Sequence, residues 1–371
     1  MLIGVPKEIK EGEYRVAMGP HSVHELINHG HQVFVETNAG AGIGFEDEAY
    51  RNVGGIIVES AEEIFSESEM IIKVKEPQAN ECNMLREDQV LFTYLHLAPN
   101  LPLTKALLSS SCIAIAYETV TDSHGGLPLL APMSEVAGRL SVQAGSYCLE
   151  RTHGGKGILL GGVPGVSRGN VVVIGGGMVG TNAIRMAMGK EANVTVLDKS
   201  LRRLQELDLQ FGSKLNTIFS TQIALERHVA NADLIIGAVL IPGGTAPKLI
   251  TRGMLKNMRK GTVIVDVAID QGGCCETSRP TTHDNPTFIV DDIVHYCVTN
   301  MPGAVPRTAT FALNNATLPF IIELANKGYR QALLDNHNLK NGLNVFKGKV
   351  TYKAVADSLA INYSPAEEVL R

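Results

Sequence analysis

Short runs of Val, Ile and Leu alternate with longer amphipathic stretches along almost the whole chain. In the first third, residues 3–5, 32–36, 70–75, 90–94 and 113–118 read as strands. Between them, 20–29 and 61–65 carry apolar residues at helical spacing. A second series follows, with strands expected at 171–174, 193–197, 234–239, 262–267 and 288–290, and helices at 179–189 and 199–211. Strands made of continuous apolar residues are buried on both faces. The pattern therefore predicts an α/β architecture of mostly parallel sheets with helices on each side.

A long helical stretch at 135–151 parts the two series, and Ser134 offers it an N-cap. A second break falls at Asn300-Met301-Pro302-Gly303, after which 313–327 reads as one long helix. The expected organisation is two doubly wound, Rossmann-like domains separated by a cleft and joined by long helices. One is made of residues 1–130 and 305–371, the other of 131–304.

With 371 residues, 44% of them hydrophobic and 19% charged, the chain suits a folded two-domain protein better than a disordered one. A net charge of −5 and the absence of Trp offer no basic or base-stacking surface, so nucleic acid is not an expected partner. The six cysteines, Cys82, Cys112, Cys148, Cys274, Cys275 and Cys297, show no CxxC or Cys/His ligand spacing. Reduced thiols, a cytoplasmic location and no metal site are expected. Neither a signal peptide nor a membrane span is read from the sequence.

Val171-Val172-Val173-Ile174 runs into Gly175-Gly176-Gly177-Met178-Val179-Gly180, with a helical pattern directly after. A GxGxxG on its own is weak. The strand before it, the helix after it and Asp198 at the end of the next strand make it a dinucleotide fingerprint. Gly175 allows the tight turn, Gly177 the approach of a pyrophosphate and Gly180 the close packing of helix on strand. The helix N-terminus offers free N–H groups to the phosphates. Asp198 can accept hydrogen bonds from ribose hydroxyls and repel a 2′-phosphate, which favours NAD, while Arg202 and Arg203 nearby leave NADP open. Strand ends nominate Ser220, Val239, Leu240, Val267, Ala268, Ile269 and Asp270 as cofactor-lining positions. Residues 131–304 are thus the expected NAD-binding domain, and the remainder the substrate domain.

Three polar residues stand where apolar runs end: Lys75 before Glu76-Pro77, His96 before Leu97-Ala98-Pro99, and Asp270 before Gln271-Gly272-Gly273. Singly, each has an ordinary structural explanation as a cap or a satisfied core group. Together they give a cation, a neutral-pH acid/base and a carboxylate, the set needed to handle a small amino or keto acid. Arg15 belongs to a charge run, from Lys7 onward, that reads as a solvated loop. The apolar Val16-Ala17-Met18 after it can turn Arg15 inward, where its fork suits a carboxylate.

Several segments resemble the bacterial L-alanine dehydrogenase family, over essentially the whole length of the chain. They are Gly4-Val5-Pro6-Lys7-Glu8 through Arg15-Val16, Pro132-Met133-Ser134-Glu135-Val136-Ala137-Gly138-Arg139, and the glycine loop. Asp266-Val267-Ala268-Ile269-Asp270-Gln271-Gly272-Gly273 and Asn300-Met301-Pro302-Gly303-Ala304-Val305-Pro306-Arg307-Thr308 complete the match. The N-terminal signature is shared with the dinucleotide-binding part of proton-translocating transhydrogenases.

The resemblance implies reversible oxidative deamination of L-alanine to pyruvate and ammonium with NAD, in a cytoplasmic homohexamer. It implies that Arg15 and Lys75 contact the substrate carboxylate, that His96 is the acid/base and that Asp270 is the catalytic carboxylate. It also implies NAD contacts at Ser134, Met178, Val179, Asp198, Arg203, Ser220, Val239, Leu240, Val267, Ala268, Ile269, Asp270, Arg279, Val298, Thr299, Asn300 and Met301. The Cys274-Cys275 pair beside this loop is either packing or a site where thiol modification blocks activity. A transhydrogenase part, a lysine- or saccharopine-type dehydrogenase and a non-enzymatic NAD sensor are the competing readings.

Overall fold

The computed structural model describes residues 1–239 and 245–371, so the expectation at Leu240 lies outside the described residues. Its strands, in chain order, are β1 (Leu2–Val5), β2 (Gln32–Glu36), β3 (Ile56–Val58), β4 (Met70–Ile72), β5 (Val90–Thr93) and β6 (Ile113–Ala116). Then come β7 (Asn170–Ile174), β8 (Asn193–Asp198), β9 (Leu215–Phe219), β10 (Leu234–Gly237), β11 (Val263–Asp266), β12 (Thr287–Val290) and β13 (Ile293–Tyr296). The series ends with β14 (Leu343–Phe346) and β15 (Lys349–Val350).

The chain divides into two compact units, Met1–Met133 with Val305–Arg371, and Ser134–Ala304. In the first, the sheet order is β15-β14-β6-β5-β4-β1-β2-β3. β1 to β6 are parallel, and β14 joins β6 antiparallel. In the second the order is β12-β13-β11-β10-β7-β8-β9, parallel except for the edge strand β12. The first five strands of each unit thus follow the same doubly wound order, which reverses beside the first strand, and the sixth place is taken by β6 in one unit and by β13 in the other.

Burial explains why the apolar runs became central strands. In the first sheet, Met70, Ile72, Val90, Phe92, Ile113 and Ile115 belong to one core, and Ile71, Leu91, Ala114 and Ala116 to another. Successive side chains point to opposite faces, so this division puts a covered core on each side of the sheet. Val171, Val173, Ile235, Ile236, Ile264 and Val265 of the second sheet are all fully buried. Each such side chain contributes about 1.5–3 kcal/mol.

Several boundaries differ from the sequence reading, for physical reasons. β4 stops at Ile72, not at 75: beyond it the Val74 N–H goes to the Glu8 carboxylate at 2.6 Å, although Lys73 still bonds to Phe92 of β5 and Val74 to Tyr94 just after it. β6 stops at Ala116, and Tyr117–Thr119 tightens into a 3₁₀ turn. β11 stops at Asp266, and Val267–Gln271 is 3₁₀ helix. The helix expected at 135–151 is Ala131–Cys148, so Ser134 lies in its first turn and not at its N-cap. Pro132 is accepted there because first-turn N–H groups have no intrahelical partner to lose.

The helix expected at 313–327 begins earlier, at Pro306, and its regular course breaks at Gly328, whose φ is 73°. All six cysteines are buried free thiols. Among the described residues no helix is long and apolar enough to cross a membrane, and no group of His, Cys, Asp or Glu could hold a metal ion.

Candidate functional site

In doubly wound sheets, ligands bind outside the carboxyl ends of the strands where the order reverses. In the first unit that edge carries the loops after β1, β4, β5 and β6, and these hold Arg15, Lys75 and His96. The charge run at 7–15 is only in part the solvated loop its composition suggests, with Lys7 and Glu11 exposed. Glu8, Glu13 and Arg15 are buried. Arg15 donates from Nε to Glu13 Oε1 at 2.7 Å and from Nη2 to Glu13 Oε2 at 2.6 Å, while Nη1 lies 3.0 Å from Met133 Sδ. Burial alone would lift the Glu13 carboxyl. The hydrogen bonds and charge of Arg15, with Lys75 adding, hold it below the ordinary range.

Beneath Lys75 lies a charge cluster with no access to solvent. Lys73 Nζ donates to Glu81 Oε1 at 2.7 Å and to Glu8 Oε2 at 3.2 Å. Glu8 Oε1 accepts from the N–H groups of Val74 and, at 3.4 Å, Lys75. Burial keeps the Glu8 carboxyl above its ordinary range although Lys73 pulls the other way. Burial opposes the charge on Lys73, but Glu8 and Glu81 outweigh it and raise its ammonium. Lys75 Nζ forms no ion pair within 4 Å among the described residues. Burial first, then Arg15 and Lys10, push its ammonium below the ordinary lysine range.

His96 follows β5 with φ 49°, a left-handed conformation uncommon outside glycine. Its side chain is 49% exposed, and its ring stacks parallel to Tyr94 at 5.8 Å. Tyr94 is fixed in turn by donating its hydroxyl to the Leu129 carbonyl at 2.5 Å. Glu118, from the turn after β6, accepts the His96 backbone N–H at 2.6 Å, and its Oε1 lies 3.8 Å from Nδ1. With the carboxylate on the Nδ1 side, Nε2 is left for solvent or ligand.

In the second unit the glycine loop turns between β7 and the helix Met178–Gly189. Gly175 has φ 98°, and a methyl there would meet the Ala238 carbonyl oxygen at 2.7 Å. A methyl on Gly180 would lie 1.9 Å from the Gly175 oxygen, whereas Gly177 faces open space. No side chain caps the helix start, so Met178, Val179 and Gly180 present its first-turn N–H groups. Asp198 accepts from Gly176 N–H at 2.7 Å through one oxygen and from Ser200 N–H at 2.8 Å through the other.

Arg203 is engaged with the loop itself, donating to the Gly176 oxygen at 2.6 Å, Thr181 Oγ1 at 2.6 Å and Glu206 at 2.7 Å. Ser220 follows β9, its N–H bonded to the Asp198 carbonyl. Val239 follows β10, and Ser134 is half-buried on its helix.

Asp270 is exposed on the 3₁₀ turn of Val267, Ala268 and Ile269, and its Oδ1 lies 3.4 Å from the Asn300 N–H. Asn300, in the loop with Val298, Thr299 and Met301, has φ 54°. Arg279 stacks over Phe288 at 4.3 Å. Buried Asp266 ties the return of this loop by accepting from Cys274 N–H, Cys275 N–H and Ser278 Oγ. Burial, with Asp266 adding, raises the Cys274 thiol well above its ordinary range, and Cys275 is raised too. Both thiols are fully buried, which disfavours the thiolate form that reaction requires.

The reading of the sequence missed Glu8, Glu13, Lys73, Glu118 and Asp266. Glu118 ends an apolar run as Lys75 and His96 do, so the same rule could have found it. Asp266 is a lone carboxylate inside an apolar run. The pairing of Glu8 with Lys73 joins two distant loops and leaves no local signal.

Two family models cover most of the chain. Residues 4–137 match "Alanine dehydrogenase/PNT, N-terminal domain" and residues 141–353 match "Alanine dehydrogenase/PNT, C-terminal domain". An alanine dehydrogenase of Halomonas elongata is 56% identical over 370 residues, and one of Methanococcus maripaludis is 54% identical over 371, each covering 100% of both chains. A solved L-alanine dehydrogenase superposes with a TM-score of 0.94 at 51% identity, over 97% of this chain and 99% of that one. A transhydrogenase from Sinorhizobium meliloti shares the fold, with a TM-score of 0.83 at 23% identity over 95% of this chain and 100% of its own. The chain belongs to the alanine dehydrogenase/PNT family.

Proposed function

We propose that this protein is an NAD-dependent L-alanine dehydrogenase, interconverting L-alanine and pyruvate plus ammonium. The observation that carries the reading is that Arg15, Lys75 and a carboxylate-backed His96 all stand at the carboxyl edge of one parallel sheet. Full-length identity above half to alanine dehydrogenases supports it. The family resemblance further supports a cytoplasmic homohexamer.

The glycine loop fits a dinucleotide: two glycines without room for a methyl, one facing open space, and an uncapped helix start. Asp198 stands at the end of β8, where a ribose diol would sit, and Arg203 is occupied with the loop, which supports NAD over NADP. When bound, NAD supplies a two-electron acceptor for the hydride leaving Cα.

In this scheme Arg15 and Lys75 hold the substrate carboxylate and so fix the direction of the Cα–H bond. Asp270 balances positive charge on the substrate nitrogen and orients the attacking water. His96 takes a proton from that water as it adds to the iminium carbon, gives it to the carbinolamine nitrogen, and takes the hydroxyl proton as ammonia departs and the keto group forms.

L-Alanine must lose its ammonium proton before hydride can leave, so deamination should rise with pH while reductive amination peaks lower. The test is the growth of reduced-nicotinamide absorbance with a panel of amino acids at alkaline pH. L-Alanine with NAD should far exceed every other pairing. NAD binding without turnover on any amino acid would favour the sensor or transhydrogenase reading.

Gly180→Ala tests the cofactor loop. Overpacking against a backbone oxygen costs about 1–3 kcal/mol. The NADH dissociation constant should therefore rise about tenfold, as read by fluorescence titration. An unchanged value would remove the loop from the binding site.

A further inference from the structure

Of the two cations assigned above to the substrate carboxylate, Arg15 is held at its guanidinium by buried Glu13 and Lys75 at its backbone N–H by buried Glu8, and the hydride and proton steps use neither glutamate. Glu13 grips Arg15 through Nε and Nη2 and also accepts the Arg15 backbone N–H at 3.0 Å. The two side chains are only 1% and 2% exposed. A guanidinium gripped along one edge has its plane fixed, and with it the direction in which its other edge faces. On that side Nη1 meets Met133 Sδ at 3.0 Å, and a thioether is a weak acceptor that a carboxylate outcompetes. Glu8 does the parallel work for Lys75, holding its N–H and that of Val74 while anchored on Lys73.

We propose that Glu13 is a positioning residue that aims the Arg15 guanidinium at the substrate carboxylate, with Glu8 fixing the Lys75 side of the same cradle. The proposal rests on the reading that Arg15 and Lys75 bind that carboxylate. It reaches Lys75 through charge as well. The charged groups acting on Lys75 are Arg15 and Lys10, which disfavour its ammonium, and Glu13 and Glu76, which favour it. Substrate binding needs Lys75 protonated, so affinity falls at alkaline pH as that proton is lost. Removing the Glu13 charge takes away a group that favours the proton, so the alkaline fall moves to lower pH.

The probe is oxamate, an unreactive analogue of pyruvate, titrated by calorimetry into the enzyme–NADH complex across pH. For Glu13→Gln the oxamate dissociation constant should rise about tenfold or more, the loss that follows when a charge-assisted hydrogen bond is misaimed. The alkaline fall should move down by about 0.5 pH unit, while NADH binding stays within about twofold of wild type. Glu13→Asp keeps the charge but shortens the reach, so it should bind oxamate more weakly with its alkaline fall unmoved. This variant decides the matter if Glu13→Gln does not fold.

Oxamate binding equal to wild type in either folded variant overturns the proposal, as does a lower melting temperature with unchanged binding and pH profile. A wild-type complex that does not bind oxamate overturns the substrate-site reading, and the proposal with it.

Discussion

Turnover of L-alanine should fall by about 10²–10⁴ when His96 is replaced by alanine, the usual cost of losing a general acid/base. Dinucleotide binding should survive, because the glycine loop and Asp198 belong to the other compact unit. The backbone at His96 adds a control. Its φ of 49° is tolerated by asparagine better than by most residues, so His96→Asn should fold at least as well as wild type and still be inactive. A stable and active His96→Asn enzyme would take the imidazole out of the mechanism. Asp270→Asn should lose activity on the same scale with NADH affinity kept. Equal steady-state rates would reassign Asp270 to a turn.

Lys73→Met should destabilise the protein by about 3–5 kcal/mol, because it leaves two buried carboxylates without their cation. The deficit has a defined pH dependence. Burial already holds Glu8 above the ordinary carboxylate range with Lys73 present. Without Lys73 nothing opposes the effect of burial on Glu8 as strongly, so folding takes up a proton there and stability rises as pH falls. Urea unfolding at pH 5 and pH 8 should show the smaller deficit at pH 5. Identical deficits would mean that Glu8 takes up no proton on folding between these two pH values. Replacing all three residues by apolar ones of similar volume should recover most of the loss, since buried ion clusters are seldom net stabilising.

What was legible in the sequence was local or periodic. Residues 171–180 declare a strand, a glycine turn and a helix through contacts within a few positions, and the structure has that turn. Central strands such as β5 and β10 announced themselves because burial on both faces demands unbroken apolar residues. Edge strands did so less reliably: 288–290 was read and is β12, but β3 and β9 were missed. β9 reads Leu-Asn-Thr-Ile-Phe and β3 is only three residues long, since a strand with one free edge needs less burial.

The candidate site was half visible. Lys75, His96 and Asp270 stood out as polar residues closing apolar runs. The groups that hold them did not, because Glu8 reaches Lys73 and Glu118 reaches His96 only after the sheet has brought distant loops side by side. Composition misled in part of 7–15, where Lys7 and Glu11 are exposed as expected but Glu13 pairs with Arg15, and Glu8 with Lys73, in the interior.

The antiparallel pairing of β14 with β6 bears on the order in which this protein can be made. Leu343 lies opposite Ile115 and Phe346 opposite Ile113, so the first sheet needs a strand translated after all of residues 134–304. On the ribosome the inserted unit can finish folding while β6 still has a bare edge of unpaired N–H and carbonyl groups. That interval, more than any property of the finished enzyme, is when the chain is most exposed to edge-to-edge aggregation and most dependent on chaperones.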